Sequence, residues 1–199
     1  MRLSANFSLN EMLVSQVAER AGGEMLQQQT NPEREIIDGL QYLAQTTLQP
    51  LRTLLRTAIT VSSGYRCPLL NTHIGGSASS QHMQGEAADL SISSELLHRP
   101  SRERIRDIVA EKVRLETGRE VAPHANANFY LFATACFYLD ELDVDQVIHE
   151  YGGDGAPAWV HISSSRGARN RREILIKRKG EGYGKLALPQ ALMLGCRTD

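Results

Sequence analysis

Apolar residues recur at helical spacing through the first quarter of the chain and then give way to short β-branched runs. Met12, Leu13, Val17 and Ala18 line one side of a short helix. Ser8-Leu9-Asn10-Glu11 opens it as a capping box, in which a hydroxyl and a carboxylate satisfy free backbone donors, and Gly22-Gly23 stops it. Asn31-Pro32-Glu33 predicts a second start, with Asn as cap and Pro at the first helical position. Ile36, Ile37, Leu40, Leu43, Ala44, Thr47, Leu48, Leu51, Leu54 and Leu55 follow in helical register, and Pro50 is expected to kink or split this helix. All of this is core and scaffold.

Strand patterns begin at Ala58-Ile59-Thr60-Val61-Ser62 and lead into a Gly/Pro turn, Ser63 to Pro68. Asn71 to Ser80 is small and polar, a surface loop, and Asp89-Leu90-Ser91-Ile92 alternates as a strand does. From Glu95 to Arg119, charged residues alternate with Ile105, Ile108, Val109, Val113 and Leu115 as in a solvated amphipathic helix ended by Gly118. Phe129 to Tyr138 is a buried apolar segment in which periodicity does not separate helix from strand. Asp145 to Tyr151 and Trp159 to Ser163 form a strand pair across a Gly/Asp/Pro loop, and Glu173 to Lys177 adds another strand. Along the second of these, Trp159, His161 and Ser163 face one way while Val160 and Ile162 face the core. Helices first and short strands after predict an α+β fold, with the N-terminal helices packed on a small, mostly antiparallel sheet.

Composition narrows the function classes. A chain of 199 residues, 41% hydrophobic and 23% charged, is expected to fold as one domain: a helical lead-in over 1–57, a core over 58–178 and a tail over 179–199. A net charge of −1 gives no general reason to expect nucleic acid, and the basic stretch from Arg166 to Lys179 reads as a solvated edge. No apolar run is long enough for a membrane span, and the N-terminus has no signal-peptide core, so a cytoplasmic location is expected. Cys67, Cys136 and Cys196 are scattered and read as reduced thiols.

The chemistry concentrates in Ser79-Ser80-Gln81-His82-Met83-Gln84-Gly85-Glu86-Ala87-Ala88-Asp89-Leu90. His82 and Asp89 are ligand types suited to zinc. On one helix they would stand about 10 Å apart at ~1.5 Å per residue, too far for one ion, and Gly85 opposes a continuous helix. A loop doubling back, with Asp89 at the start of a strand, would bring them together; taken alone, the pair reads more readily as a polar loop with an incidental histidine.

The ordered set Ser80-x-His82-x-x-Gly85-x-Ala87-x-Asp89, with Ser63-Gly64-Tyr65-Arg66 upstream and Trp159-Val160-His161 downstream, resembles the M15 zinc peptidases. That family includes D-Ala-D-Ala carboxypeptidases and phage endolysins that cut peptidoglycan peptides, and the helical lead-in looks like its short phage branch. The resemblance covers roughly residues 7–178. It implies the hedgehog/D-Ala-D-Ala peptidase fold and one zinc ion held by His82, Asp89 and His161, with a fourth position open for water. It also implies a peptidoglycan stem or cross-link peptide as substrate, and either a cytoplasmic wait before release or a place in a virion. Arg66 matches a family arginine that stabilises the oxyanion or anchors the peptide, and Ser80 a family serine that bonds substrate or caps a turn. Trp159 of the last motif is a candidate substrate contact.

The chain departs from the pattern at the general base. Many members carry an acidic residue three before the last histidine, where this chain has Ala158. Glu150, closing the strand before that of His161, is the candidate base, with Asp154 and Asp143 behind it. His149 should face the opposite side; His73, His98 and His124 read as surface or loop residues, of which only His73 is close enough to meet substrate. The related hedgehog fold binds zinc through a similar His-Asp-His set, so the alternative is a non-catalytic zinc domain that binds cell wall or a protein partner.

Overall fold

A computed structural model describes residues 1–94, 100–167 and 169–197, with the side chains of 100–105 left aside. Helices α1 (Leu9–Leu13), α2 (Gln16–Ala21), α3 (Gly23–Thr30), α4 (Arg34–Leu43) and α5 (Gln49–Leu55) come first. Then come β1 (Thr60–Ser63), α6 (Pro68–His73), a 3₁₀ turn (Gln81–Gln84), β2 (Ala87–Ser91), α7 (Pro100–Thr117) and α8 (Ala127–Phe137). The chain closes with β3 (Gln146–Glu150), β4 (Trp159–Ser163), β5 (Glu173–Lys177), β6 (Tyr183–Leu186) and α9 (Leu188–Met193).

The expected α+β arrangement is what the chain adopts. The strands form one six-stranded sheet in the order β1-β2-β4-β3-β5-β6, antiparallel throughout except for the parallel pair β3/β5. Helix α8, nearly all buried, lies on the face that carries His149, whose ring meets Phe132 edge-on at 5.4 Å. Burial on all sides explains why its sequence shows no helical period. The N-terminal helices reach the rest through α1 against β1, α4 against the 3₁₀ turn and α5 against α8.

Several local expectations shift. The predicted first helix is two, because Ser15 caps a new start at Gln16. The Gly22-Gly23 pair ends α2 but also opens α3, which no apolar period announces: its one buried side chain is Gln29. Asn31 does not cap the next helix; it closes α3, its side chain donating to the Gln27 carbonyl, and α4 starts after Glu33. The helix meets Pro50 through a π-helical stretch, Ala44–Leu48, which absorbs the lost backbone donor without ending the helix. Helix α6 is a further addition, capped by the Cys67 sulfur. Residues 179–199, expected as a tail, hold strand β6 and helix α9; β6 alternates only between exposed and half-buried positions, which gives no apolar signal. His98 lies outside the described residues.

Asp145, at the entry to β3, ties three segments together. Its carboxylate accepts hydrogen bonds from the Arg171 backbone, Nε and Nη2 and from Gln81 Nε2, so β3, the segment before β5 and the 3₁₀ turn share one anchor. Burial opposes its ionisation, but the bonds and charge of Arg171 outweigh that and hold the carboxyl below the usual range. A carboxyl lowered on folding stabilises above its unfolded pKa and loses that stabilisation as pH falls through its native value. Asp145→Asn is therefore expected to cost about 1.5–3 kcal/mol in urea unfolding at neutral pH. The gap to wild type should close as the medium is made strongly acidic.

Candidate metal centre

The turn bearing His82 and the strand bearing Asp89 meet β4 because Gly85 reverses the chain between them. Gly85 has φ +70°, and a Cβ there would lie 2.4 Å from the Ile36 carbonyl oxygen of α4. Asp89 sits in the middle of β2 rather than at its start, directly opposite His161 on β4. His82 Nε2 lies 3.1 Å from His161 Nδ1 and 3.2 Å from Asp89 Oδ1, and His161 Nδ1 lies 3.0 Å from the same oxygen. All three residues are buried.

This donor set fits a zinc ion. Four ligands at ~2.0–2.1 Å around tetrahedral zinc stand about 3.3–3.4 Å apart, close to the separations found. His82 Nδ1 is 2.6 Å from the Gly64 carbonyl, which can only accept, so the proton sits on Nδ1 and Nε2 presents its lone pair to the cluster. Asp89 uses Oδ1 toward the histidines while Oδ2 is held by Arg66 Nη2. Burial opposes ionisation of Asp89, yet the two histidines against its Oδ1 outweigh that and hold the carboxyl below the usual range.

Residues 64–67 hold this arrangement. Gly64 presses on α1 so closely that a Cβ would meet the Met12 carbonyl oxygen at 2.6 Å, and Tyr65 N donates to that oxygen at 2.8 Å. Arg66 N donates to the His82 carbonyl, and its Nε donates to Ser63 Oγ at 2.9 Å. Gln29, fully buried, clamps both sides of Arg66: its amide donates to the Tyr65 carbonyl at 2.8 Å and accepts from Cys67 N at 2.9 Å, and also donates to the Leu13 carbonyl. Sequence reasoning missed Gln29, because a polar residue in a polar helix carries no signal of burial.

The other candidates fall around this centre. Glu150 is half-buried, opposite Trp159 in the β3/β4 pair, one side-chain repeat along from His161 on the same face. Burial raises its pKa, as does Asp89, while His161, Arg66 and Trp159 pull the other way, so it lies within the field of the cluster. The Trp159 indole N–H has no partner at hydrogen-bonding distance, although its nearness still favours the ionised glutamate. Ala158 is exposed. Asp154 pairs with Arg178 at 2.7 Å, and Asp143 accepts from the Tyr42 hydroxyl at 2.5 Å, so both runner-up carboxylates have partners of their own. The Ser80 side chain does not cap the turn it precedes. His149 points to the opposite face as expected, and His73 and His124 are exposed.

Comparison with protein-family models matches residues 5–121, more than half of the chain, to Peptidase M15. The match contains Arg66, His82 and Asp89 and ends before Glu150 and His161. No curated protein matches the chain.

Replacing Gln29 by Met keeps the bulk and removes the amide, leaving the Cys67 N–H and the Tyr65 carbonyl unpaired in the interior. At about 1–3 kcal/mol for each such group, urea unfolding should register a loss of at least about 2 kcal/mol.

Proposed function

The chain belongs to the peptidase M15 family, and on that footing we propose that it is a zinc-dependent peptidase hydrolysing peptide bonds in peptidoglycan stem or cross-link peptides. The observation that carries this reading is the convergence of His82 Nε2, Asp89 Oδ1 and His161 Nδ1 beside Glu150 and Arg66. A structural zinc site is closed by protein ligands, whereas three donors leave one position for chemistry. His82, Asp89 and His161 would hold the ion, which when bound supplies a Lewis acid for the scissile carbonyl and acidifies water.

The chain's own groups supply the rest. Glu150 takes the proton of the attacking water; its burial and the nearby Asp89 charge raise its pKa toward that of a useful base. Arg66 serves twice in this reading. Its guanidinium fixes Asp89 Oδ2, and its remaining N–H groups are available to charge developing on the carbonyl oxygen. Trp159, half-buried next to the cluster, and Ser80, whose hydroxyl caps nothing, are the proposed substrate contacts. The family resemblance of the sequence favours a phage or prophage lysis or virion-associated enzyme.

Elemental analysis of dialysed protein should find about one zinc per chain in the wild type, and the metal should be lost with a fall in thermal stability in His82→Ala, Asp89→Ala and His161→Ala. Glu150→Gln should keep zinc and fold but release peptide from purified peptidoglycan about 10²–10⁴ times more slowly. Arg66→Ala should lose on the order of 3 kcal/mol of transition-state stabilisation and bind zinc roughly tenfold to hundredfold more weakly. A wild-type rate in Glu150→Gln would move the base elsewhere. Zinc-loaded wild type inert on every peptidoglycan preparation would favour a non-catalytic zinc domain.

A further inference from the structure

The sheet extends the site beyond the residues so far assigned. Register places Trp159 opposite Glu150, Glu150 opposite Lys177 and Lys177 opposite Tyr183, so one row of side chains crosses β4, β3, β5 and β6. The next row in register holds Asp89, His161, Ile148, Leu175 and Lys185. Residues two apart on a strand share a face, so the outer row projects from the same face as the candidate metal cluster. Strands stand ~4.8 Å apart, which puts Lys177 one strand beyond Glu150.

The cations on this face differ in their partners. Arg66 is bound to Asp89, and Lys185 pairs with Glu173 at 3.0 Å. Lys177 Nζ lies over the Tyr183 ring, 5.0 Å from its centroid, and donates to the Glu181 carbonyl; it meets no carboxylate among the described residues. Tyr183 is largely exposed, and its phenol pKa is raised by partial burial and then by Glu150, Tyr151 and Asp89, with Arg66 opposing. The phenol therefore stands within the field of the site, and the Tyr183 face keeps the ammonium in place without neutralising it.

We propose that Lys177, seated on Tyr183, is a carboxylate-binding subsite that anchors an acidic group of the bound peptide about three residues from the scissile bond. The inference rests on the peptidase reading. Lys177 stands two strand spacings across and one side-chain repeat along from His161, roughly 12 Å between backbones, and an extended residue advances about 3.3–3.6 Å, so a carboxylate about three residues past the reacting carbonyl reaches it. A peptide offers that carboxylate in two ways, as its chain terminus or as an acidic side chain.

The test uses zinc-loaded full-length protein and three versions of one stem peptide: free acid, C-terminal amide, and side-chain amide. Binding to zinc-loaded Glu150→Gln by calorimetry reads the subsite whether or not hydrolysis occurs, and KM and kcat of the wild-type chain read it during turnover. Amidating the anchored carboxylate should weaken binding and raise KM roughly tenfold with little change in kcat. Lys177→Met should impose the same loss on the free acid and no further loss on that amide, and Lys177→Arg should restore most of it. The amide that matters identifies the carboxylate: the terminal one marks a released segment of about three residues, the side-chain one an acidic-residue preference. Equal effects of Lys177→Met on all three peptides, or no effect on any, would overturn the subsite. Absence of hydrolysis with acid-selective binding intact would instead count against the peptidase reading alone.

Discussion

The hydrogen bond from His82 Nδ1 to the Gly64 carbonyl is the contact on which the rest of the site depends. It fixes which nitrogen of His82 carries the proton and aims the other at Asp89 and His161. A carbonyl can do this only if its own peptide is immobile, and much of the N-terminal half serves that end. Met12 holds that same peptide through Tyr65 N, Gln29 holds the two peptides that follow it, and α4 packs under the reversing glycine. The helices before residue 57 are thus the frame of a site whose proposed ligands all come later in the chain.

The sheet supplies the complementary half. Antiparallel pairing of β2 with β4 puts Asp89 and His161 face to face, and pairing of β4 with β3 sets Glu150 one repeat along. Asp145 links this sheet to the 3₁₀ turn through Gln81, next to His82, so turn and strands share a covalently short path of hydrogen bonds. Rigid elements on two sides hold the candidate ligands within the narrow range of separations that a small cation needs.

Much of this was legible in the sequence, for identifiable reasons. The turn, the glycine and the strand around His82 and Asp89 each leave their own local mark, the resemblance to the M15 peptidases added His161, and strand alternation put Glu150 on the face of His161 and His149 on the other. Lone side chains whose partners are distant backbone left no such mark. Gln29 looked like an ordinary polar helix residue, and β6, with Tyr183 and Lys185 on an exposed edge, had no apolar alternation to show. Asn31 misled because Asn before Pro marks a helix start and an Asn after a helix marks its end with the same residue type; tertiary packing chose the latter. The match to Peptidase M15 stops at residue 121, so Glu150, His161 and the outer row rest on the geometry of the sheet.

The proposed peptidase activity requires the His82, Asp89 and His161 cluster to be a working metal centre. The direct measurement follows soluble peptide released from purified peptidoglycan by mass spectrometry, before and after stripping with a chelator and again after one equivalent of zinc. Near-ultraviolet circular dichroism monitors the fold throughout. Release is expected to stop on stripping while the folded signal persists, and to return with the added zinc. Release that continues unchanged in the chelator-stripped protein would contradict that requirement.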